Sequence, residues 1–449
     1  MRAIRKETLL IAAVALGTLL NPLNTTMISV ALTRLQEDFH LTFADVSWLI
    51  STYYLASAIA QPVMGKLSDL FGRKRVFMLG LFLVTLSSCL APLSPGFGWL
   101  IGFRIIQAVG SSSLYPAGMG MIRSQITTNQ ARALGILSVF SGTSAALGPS
   151  LGGFLVHYGD WPLIFLFNFP FILASFVLAW RLFPKDAARG GPKPEMDWWG
   201  VLFFSVMIFM WLLFFLSFEN GIQWWMMAVS IVLTFGFYRF ELRKSKPFID
   251  MTFLRKNRNV RLIYSGFILI NIVFYSIIFG IPSYLMRVQH MDTQQAGIIM
   301  LSVAGFGVLT TPLVSRWIDR SGSKPALLLG ASAFVAGTLL LLFIQDGMNP
   351  FVLFAILSVL GISNGVSNLG SQTALYDYVS KEETGIASGM FMTSRFMGTI
   401  LSSSLLAALF GKNITTEHLH SMAWICAVIS VVLVLLVAAL PRAGRENAV

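Results

Sequence analysis

The sequence predicts an all-α polytopic membrane protein with fourteen transmembrane helices: two pseudo-symmetric six-helix bundles plus an inserted helix pair. Three observations predict it. Hydrophobic residues make up 55% of the 449 residues, charged residues only 12%, and mean hydropathy is +0.73, whereas a soluble domain carries roughly 25% charge. Fourteen apolar runs can be marked, each long enough to cross a hydrocarbon core of ~30 Å. Part of the chain also recurs 250 residues later. Fourteen helices leave no room for a large extramembrane domain. An outer-membrane barrel is excluded too, because its strands alternate apolar and polar residues over ~10 positions.

The predicted spans are 8–32, 45–65, 75–93, 98–122, 131–156, 163–183, 198–218, 222–240, 260–286, 293–315, 324–344, 350–376, 384–411 and 421–440. Met1 to Thr8 is basic, but the apolar run after it is too long for a signal sequence, so it reads as the first span. Arg2, Arg5 and Lys6 place the N-terminus in the cytoplasm. Of the 32 Lys and Arg, Arg34, Arg287 and Lys412 fall in predicted external segments and Arg104 and Arg395 within helices; the rest are cytoplasmic. This bias satisfies the positive-inside rule, places both termini in the cytoplasm, and explains the net charge of +12 without a nucleic-acid partner. The longest cytoplasmic connections are Arg181–Asp197 and Arg239–Arg261, the latter with eight Lys and Arg. They divide the chain into an N-terminal bundle (1–185), an inserted hairpin with its linkers (186–258) and a C-terminal bundle (259–449). The basic connection serves as a topology signal or touches anionic lipid.

The repeat is clearest at two turns. Gly65-Lys66-Leu67-Ser68-Asp69-Leu70-Phe71-Gly72-Arg73-Lys74 follows the second span, and Ser315-Arg316-Trp317-Ile318-Asp319-Arg320-Ser321-Gly322-Ser323-Lys324 follows the tenth. Asp69 matches Asp319, Gly72 matches Gly322 and Lys74 matches Lys324; the same offset carries Gly135 onto Gly385 and Gly148 onto Gly398. An even number of spans separates the turns, so the repeats share an orientation. Parallel six-helix repeats with a midplane site between them describe an alternating-access transporter.

At these residues the chain resembles the major facilitator superfamily. Gly65 to Lys74 is similar to that family's signature loop between helices 2 and 3. Leu100 to Gly110, with Arg104 and Gln107, is similar to its helix-4 motif. Leu147 to Gly153 is similar to the helix-5 motif of its antiporter branches, and Asp160-Trp161 through Asn168-Phe169-Pro170 resembles the start of helix 6 in drug exporters. Fourteen helices point, by that resemblance, to the drug:proton antiporter branch and to multidrug efflux, with antibiotic resistance as its outcome. Ser144 stands where the family usually has glycine, and Pro162 where arginine is common. The resemblance implies that the first loop locks one conformation by bridging to the start of the thirteenth span near Thr384, and that the helix-5 motif seals the path around the site.

The motifs also have a physical reading. Gly65 removes bulk where helices cross closely. Asp69 suits a helix N-terminus, and Gly72, Arg73 and Asp319 complete two tight turns that either gate or simply belt the interface. Gly148, Pro149, Gly152 and Gly153 allow close helix packing in lipid, and Pro149 frees a backbone carbonyl.

Ionisable groups inside a membrane are expensive and mark function. No acid lies near the centre of a predicted span. Glu37, Asp38, Asp45, Asp160, Glu219, Asp292, Asp346 and Glu417 are external and the remaining acids cytoplasmic. Where the resembling branch commonly has an acid on helix 1, this chain has Asn24, within Leu23 to Leu32. A proton carrier would therefore stand at a helix end: Asp45, Asp69, Glu219 or Asp377. Arg104 lies ~9 Å into its span and Arg395 ~16 Å into its own. Each must meet carbonyls, amides, water or an anionic substrate group. Polar residues at helical spacing complete the candidate substrate face: Asn24, then Arg104, Gln107 and Tyr115, then Asn271 and Tyr275, then Asn364, Asn368 and Gln372. They line a central cavity or hydrogen-bond between helices.

The expected function is secondary export of amphipathic, hydrophobic small molecules from the cytoplasm or inner leaflet by alternating access, coupled to proton antiport. The alternative is a facilitator or narrow-specificity metabolite exporter of the same fold, which Asn24 permits; a polytopic membrane transferase is a remote third. No enzyme activity and no cofactor is expected. Cys89 and Cys426 lie in runs in opposite halves, and His157, His290, His418 and His420 are scattered, so neither a disulfide nor a metal site is expected. The expected partners are a small-molecule substrate, a coupling proton and the lipid bilayer, with no obligate protein partner. The expected form is a monomer in the cell membrane.

Overall fold

Helix dominates because nearly every apolar run is long enough to satisfy its own backbone in lipid. The computed structural model describes residues 2–41, 43–126, 130–186, 195–217, 221–410 and 413–441, and leaves aside the side chains of residues 2–5, 29, 33, 43–45, 47, 145–146, 149–150, 216 and 293–294. Among the described residues there are helices and no strands. The α-helices are α1 (Arg2–Thr18), α2 (Leu20–Phe39), α3 (Phe43–Phe71), α4 (Arg73–Leu90), α5 (Phe97–Gln125), α6 (Gln130–Gly159), α7 (Pro162–Leu166), α8 (Phe169–Leu182), α9 (Trp198–Leu216), α10 (Trp224–Leu242), α11 (Met251–Lys256), α12 (Arg258–Arg287), α13 (Thr293–Ser321), α14 (Ser323–Leu340), α15 (Pro350–Asp377), α16 (Thr384–Phe410) and α17 (Thr416–Ala438).

Proline accounts for the interruptions. α1 and α2 form one predicted span broken at Leu19, where Pro22 has no N–H to give the Thr18 carbonyl. α7 and α8 form another, broken before Pro170, which stands at the start of α8. Pro62 and Pro312 lie inside α3 and α13 at the 250-residue offset.

The expected count of fourteen apolar spans is corrected. Ten helical segments among the described residues are long and apolar enough to cross a membrane: Lys6–Ile28, Pro162–Leu182 and those on α4, α9, α10, α12, α13, α14, α15 and α17. α3, α5, α6 and α16 are absent from that set although they hold 29, 29, 30 and 27 residues. α3, α5 and α16 are diluted by glycine, serine and polar side chains, α5 alone carrying Arg104, Gln107 and Ser111 to Ser113, whereas α6 includes residues 145–146 and 149–150, whose side chains lie outside the described residues.

The repeat extends well beyond its turns. α3 and α13 each have 29 residues, α4 and α14 each have 18, and both pairs are followed or joined at the same offset, down to the single 3-10 turns Ala91–Leu93 and Leu341–Phe343. The chain divides into two compact units. The first comprises residues 1–201 with 380–393, the second residues 202–379 with 394–449. In the first, α3 and α4 pack on α5, α2 on α6, and α1 on α8. In the second, α13 and α14 pack on α15, and α12 and α14 on α17. The inserted pair contributes its own aromatic cluster, Phe204 against Phe237 and Phe248, and Trp211 donates its indole N–H to Thr234 Oγ1 at 2.9 Å.

Candidate functional site

The first unit carries a carboxylate clamp at the end of α3. Asp69 lies beyond the predicted span 45–65. Its Oδ1 accepts the backbone N–H of Gly385 at 3.0 Å and its Oδ2 that of Ile386 at 2.8 Å. These are two of the N–H groups that the first turn of α16 cannot satisfy internally, and the helix N-terminus favours a negative charge. Gly65 makes the approach possible: a β-carbon there would run into the Gly385 carbonyl oxygen. Arg123, at the end of α5, donates to the Ser380 carbonyl at 3.0 Å and to Thr384 Oγ1 at 2.8 Å, and Arg73 donates to the Lys381 carbonyl. Burial pushes the Asp69 carboxyl up to about 7, against the pull of the Ile386 and Gly385 N–H groups and of Arg73 and Lys66.

The turn itself is held by a second carboxylate. Asp186 accepts the backbone N–H groups of Lys74 and Arg75 at 3.1 and 3.0 Å, capping α4. Gly72 has φ +110, and a β-carbon there would collide with Asp186. Lys74 Nζ then caps the other end of the motif, donating to the Trp180 and Phe183 carbonyls at 2.6 and 2.9 Å. In the second unit Gly322 repeats the positive φ, at +84, while Asp319 is exposed. Of the proton-carrier candidates, Asp377 is exposed and accepts from Ser323 Oγ at 2.9 Å. The Asp45 side chain and Glu219 lie outside the described residues.

A buried polar network joins α2, α3, α5 and α8. Arg104 is 1% exposed. It donates to Gln107 Oε1 at 2.6 Å and to the Asn24 carbonyl at 3.5 Å, and its guanidinium carbon sits 4.3 Å from the centre of the Tyr53 ring. Asn24 donates to the Leu20 carbonyl at 2.7 Å, and its Oδ1 accepts from Gln107 at 3.3 Å and Asn168 at 2.8 Å. Amide, carbonyl and ring thus supply what an absent acid would have supplied. Asn24, Arg104 and Gln107 are closed inside the unit, and Tyr115 is half-buried.

In the second unit the polar residues are divided. Asn271 is buried and donates to the Phe267 carbonyl at 2.7 Å. Arg395 is half-buried; its Nε donates to Tyr275 Oη at 3.1 Å. Asn368 donates to Asn364 Oδ1 at 2.7 Å, one helical turn away and half-buried with it, whereas Gln372 is buried.

The glycine motif on α6 lies against α2. A β-carbon at Gly148 would collide with Thr26, one at Gly152 would come within 2.6 Å of the Met27 carbonyl oxygen, and one at Gly153 would lie 3.7 Å from Val30. The Pro149 side chain lies outside the described residues.

Sequence reasoning did not single out Tyr53, Asn168, Arg123 or Asp186 as functional positions. Asn168 stood in plain view as an amide between Phe167 and Phe169, just before Pro170. Arg123 and Asp186 read as ordinary charges at span ends, and only the meeting of α4, α5 and α16 distinguishes them.

Residues 14–403 and 263–448 match the family model described as Major Facilitator Superfamily. The chain is 44% identical over 422 residues to the uncharacterized MFS-type transporter YwoD of Bacillus subtilis, covering 93% of each. It is 25% identical over 426 residues to the multidrug transporter protein MdtP of the same organism, covering 92% of this chain and 78% of MdtP. Its fold resembles that of the human organic anion transporter MFSD10 (TETRAN), with a TM-score of 0.70 at 16% identity over 96% of this chain and 99% of that one. The glycine-lined turns, the repeat and these likenesses agree: the chain belongs to the major facilitator superfamily of multi-pass membrane transporters, whose members bind small-molecule substrates and are not normally enzymes.

Proposed function

We propose that this protein is a secondary exporter of amphipathic, hydrophobic small molecules, working by alternating access and proton antiport in the cell membrane. In this reading α3, α5, α6 and α16 cross the bilayer with the ten apolar segments, giving fourteen crossings, residues 186–258 are an insert between the two six-helix repeats, both termini are cytoplasmic, and the monomer suffices. The observation that carries it is the α6 glycine face. Gly148 and Gly152 bring α6 so close to α2 that no side chain fits between them, and that motif is the one the resemblance ties to antiporters. The multidrug relative supports the substrate class. Half-buried Asn364, Asn368, Tyr275 and Arg395 in one repeat and half-buried Tyr115 in the other are the proposed substrate contacts, and buried Asn24, Arg104 and Gln107 in the first unit and Asn271 in the second are proposed to hold their own helices in place. Asp69 is the proposed proton-sensitive group.

A second reading, a facilitator or narrow-specificity metabolite exporter, is favoured by one observation: Asn24 is an amide donating to the Leu20 carbonyl. A carboxylate would place an oxygen against that carbonyl and lose the donor. Transport in reconstituted vesicles, in wild type and in Asn24→Asp, separates the two. Antiport predicts that a proton gradient drives uphill movement by the wild type. If no gradient of H⁺, Na⁺ or K⁺ does so, and Asn24→Asp gains proton dependence, the facilitator reading stands and antiport is wrong.

A further inference from the structure

The basic connection after α10 is folded into a groove of about 370 Å³, lined by Tyr238, Met251, Leu254, Arg255, Arg261 and Tyr264, with Ser265 beside them. Its construction follows from local rules. Asp250 caps α11 by accepting the Phe253 N–H at 2.8 Å, and Asn257 caps α12 by accepting the Val260 N–H at 3.3 Å, so the chain makes two short turns between α10 and α12. Arg261 is tethered by one nitrogen, Nη1, which donates to the Leu254 and Arg255 carbonyls at 3.2 and 2.6 Å. Its guanidinium is thereby held at the groove instead of swinging free. Arg261, Tyr264 and Ser265 stand one turn apart on α12, so cation, ring and hydroxyl share one face.

Charge complementarity names the occupant. Arg239, Arg243, Lys244, Lys246, Arg255, Lys256, Arg258 and Arg261 are all exposed. The two acids of the stretch are already engaged: Asp250 as the cap of α11, and Glu241, 2% exposed, accepting the Ile249 N–H at 3.1 Å. The apolar floor continues onto α10 and α12, both long and apolar enough to cross a membrane. A cationic rim above an apolar floor at the end of two such helices matches a phosphate with acyl chains attached.

We propose that this groove binds the headgroup of an acidic phospholipid, the phosphate between Arg255 and Arg261 and the acyl region along Met251, Leu254 and Tyr264. The site is separate from the proposed substrate contacts, so its test does not depend on transport. Full-length protein in phosphatidylcholine micelles would be titrated with phosphatidylglycerol, and bound lipid counted by native mass spectrometry. Arg255→Ala/Arg261→Ala should weaken phosphatidylglycerol binding by roughly thirtyfold, two basic contacts' worth, whereas Arg243→Ala/Lys244→Ala, equal in charge change, should weaken it by roughly threefold or less. Ser265→Glu leaves Arg255 and Arg261 themselves in place and should also lose binding, because its charge opposes the phosphate and occupies Arg261, which guards against misfolding of the double variant. Equal losses in both double variants would mean a diffuse basic belt and overturn the proposal. So would unchanged binding in Ser265→Glu, or displacement of the lipid by excess inorganic phosphate.

Discussion

The turns 65–74 and 315–324 are the same structure put to different uses. Both follow a 29-residue helix containing proline, and both pass through a glycine at positive φ, +110 at Gly72 and +84 at Gly322. Both also end on a lysine that donates to carbonyls at a helix end: Lys74 to Trp180 and Phe183, Lys324 to Ala438 and Leu440. They part at the carboxylate. The Asp69 side chain is 8% exposed and takes two backbone N–H groups of α16, while Asp319 is exposed. Gly65 lies against Gly385, but its counterpart Ser315 turns its hydroxyl onto the Pro312 carbonyl at 3.0 Å. What repeats is the scaffold of the turn, which backbone geometry dictates. What differs is the helix end offered to the acid, which only the fold can supply.

The largest contrast should come from bulk. Gly65→Ala forces a β-carbon into the Gly385 carbonyl, a backbone atom that cannot rotate away. It should cost about 1–3 kcal/mol of stability and reduce transport by about tenfold or more, a barrier change of about 1.4 kcal/mol. Ser315→Ala removes one hydroxyl whose partner lies in its own helix, and both readouts should stay within about twofold of wild type. Thermal unfolding and vesicle transport on the two variants would show it. Equal behaviour would mean that the close approach at Gly65 has no consequence.

Charge comes next. Asp69→Asn keeps one good acceptor for the Gly385 and Ile386 N–H groups but loses the ionic character of the clamp, and should cost about 1–3 kcal/mol. Asp319→Asn should change stability by about 0.5 kcal/mol or less, as surface substitutions do. A loss at residue 319 as large as that at residue 69 would contradict the asymmetry between the turns.

The same carboxyl sets a pH dependence. Burial raises it from 3.8 to about 7 in the folded chain. Between those values the folded protein holds a proton that the unfolded chain has released. The contribution of Asp69 to stability is therefore present at low pH and declines as pH rises through about 7. Unfolding midpoints of wild type minus Asp69→Asn should fall from about pH 4 to about pH 7 and level off above it. A difference that is flat, or that grows with pH, would mean that the carboxyl is ionised throughout.

Much of this was legible in residues and their spacing. The offset of 250 is read chiefly from Asp69, Gly72 and Lys74, and it carries through α3, α4 and the 3-10 turn behind them. The missing acid leaves Arg104 to meet carbonyls, amides, water or an anionic substrate group, and Gln107 Oε1 and the Asn24 carbonyl are partners the structure shows. The apolar count differs because α3, α5 and α16 keep polar residues among their apolar ones, and length alone could not weigh them. Asn168 and Tyr53 were missed for a related reason. A polar side chain in an apolar run announces that it needs a partner, but its neighbours depend on which helices meet. Asp186 capping α4 from 112 residues away is the extreme case.

The smallest effect tests how the first unit absorbs its proline. Pro62 has no N–H for the Ala58 carbonyl one turn earlier, and Thr393 Oγ1 donates to that carbonyl at 2.8 Å. The approach of α16 is close there as well, since a β-carbon at Gly389 would run into the Gln61 carbonyl oxygen. The 250-residue offset pairs Thr393 with Thr143, so both repeats carry the hydroxyl. Thr393 is buried, however, and Thr143 is exposed. Thr393→Val should therefore cost about 1 kcal/mol, one hydrogen bond to a buried carbonyl, and Thr143→Val about 0.5 kcal/mol or less. In a Pro62→Ala background the N–H of residue 62 reclaims the Ala58 carbonyl, so Thr393→Val should cost measurably less there. A double-mutant cycle on unfolding midpoints isolates that coupling. If Thr393→Val costs the same in both backgrounds, the hydroxyl is not replacing the proline's missing donor, and the proline in α3 must be accommodated in some other way.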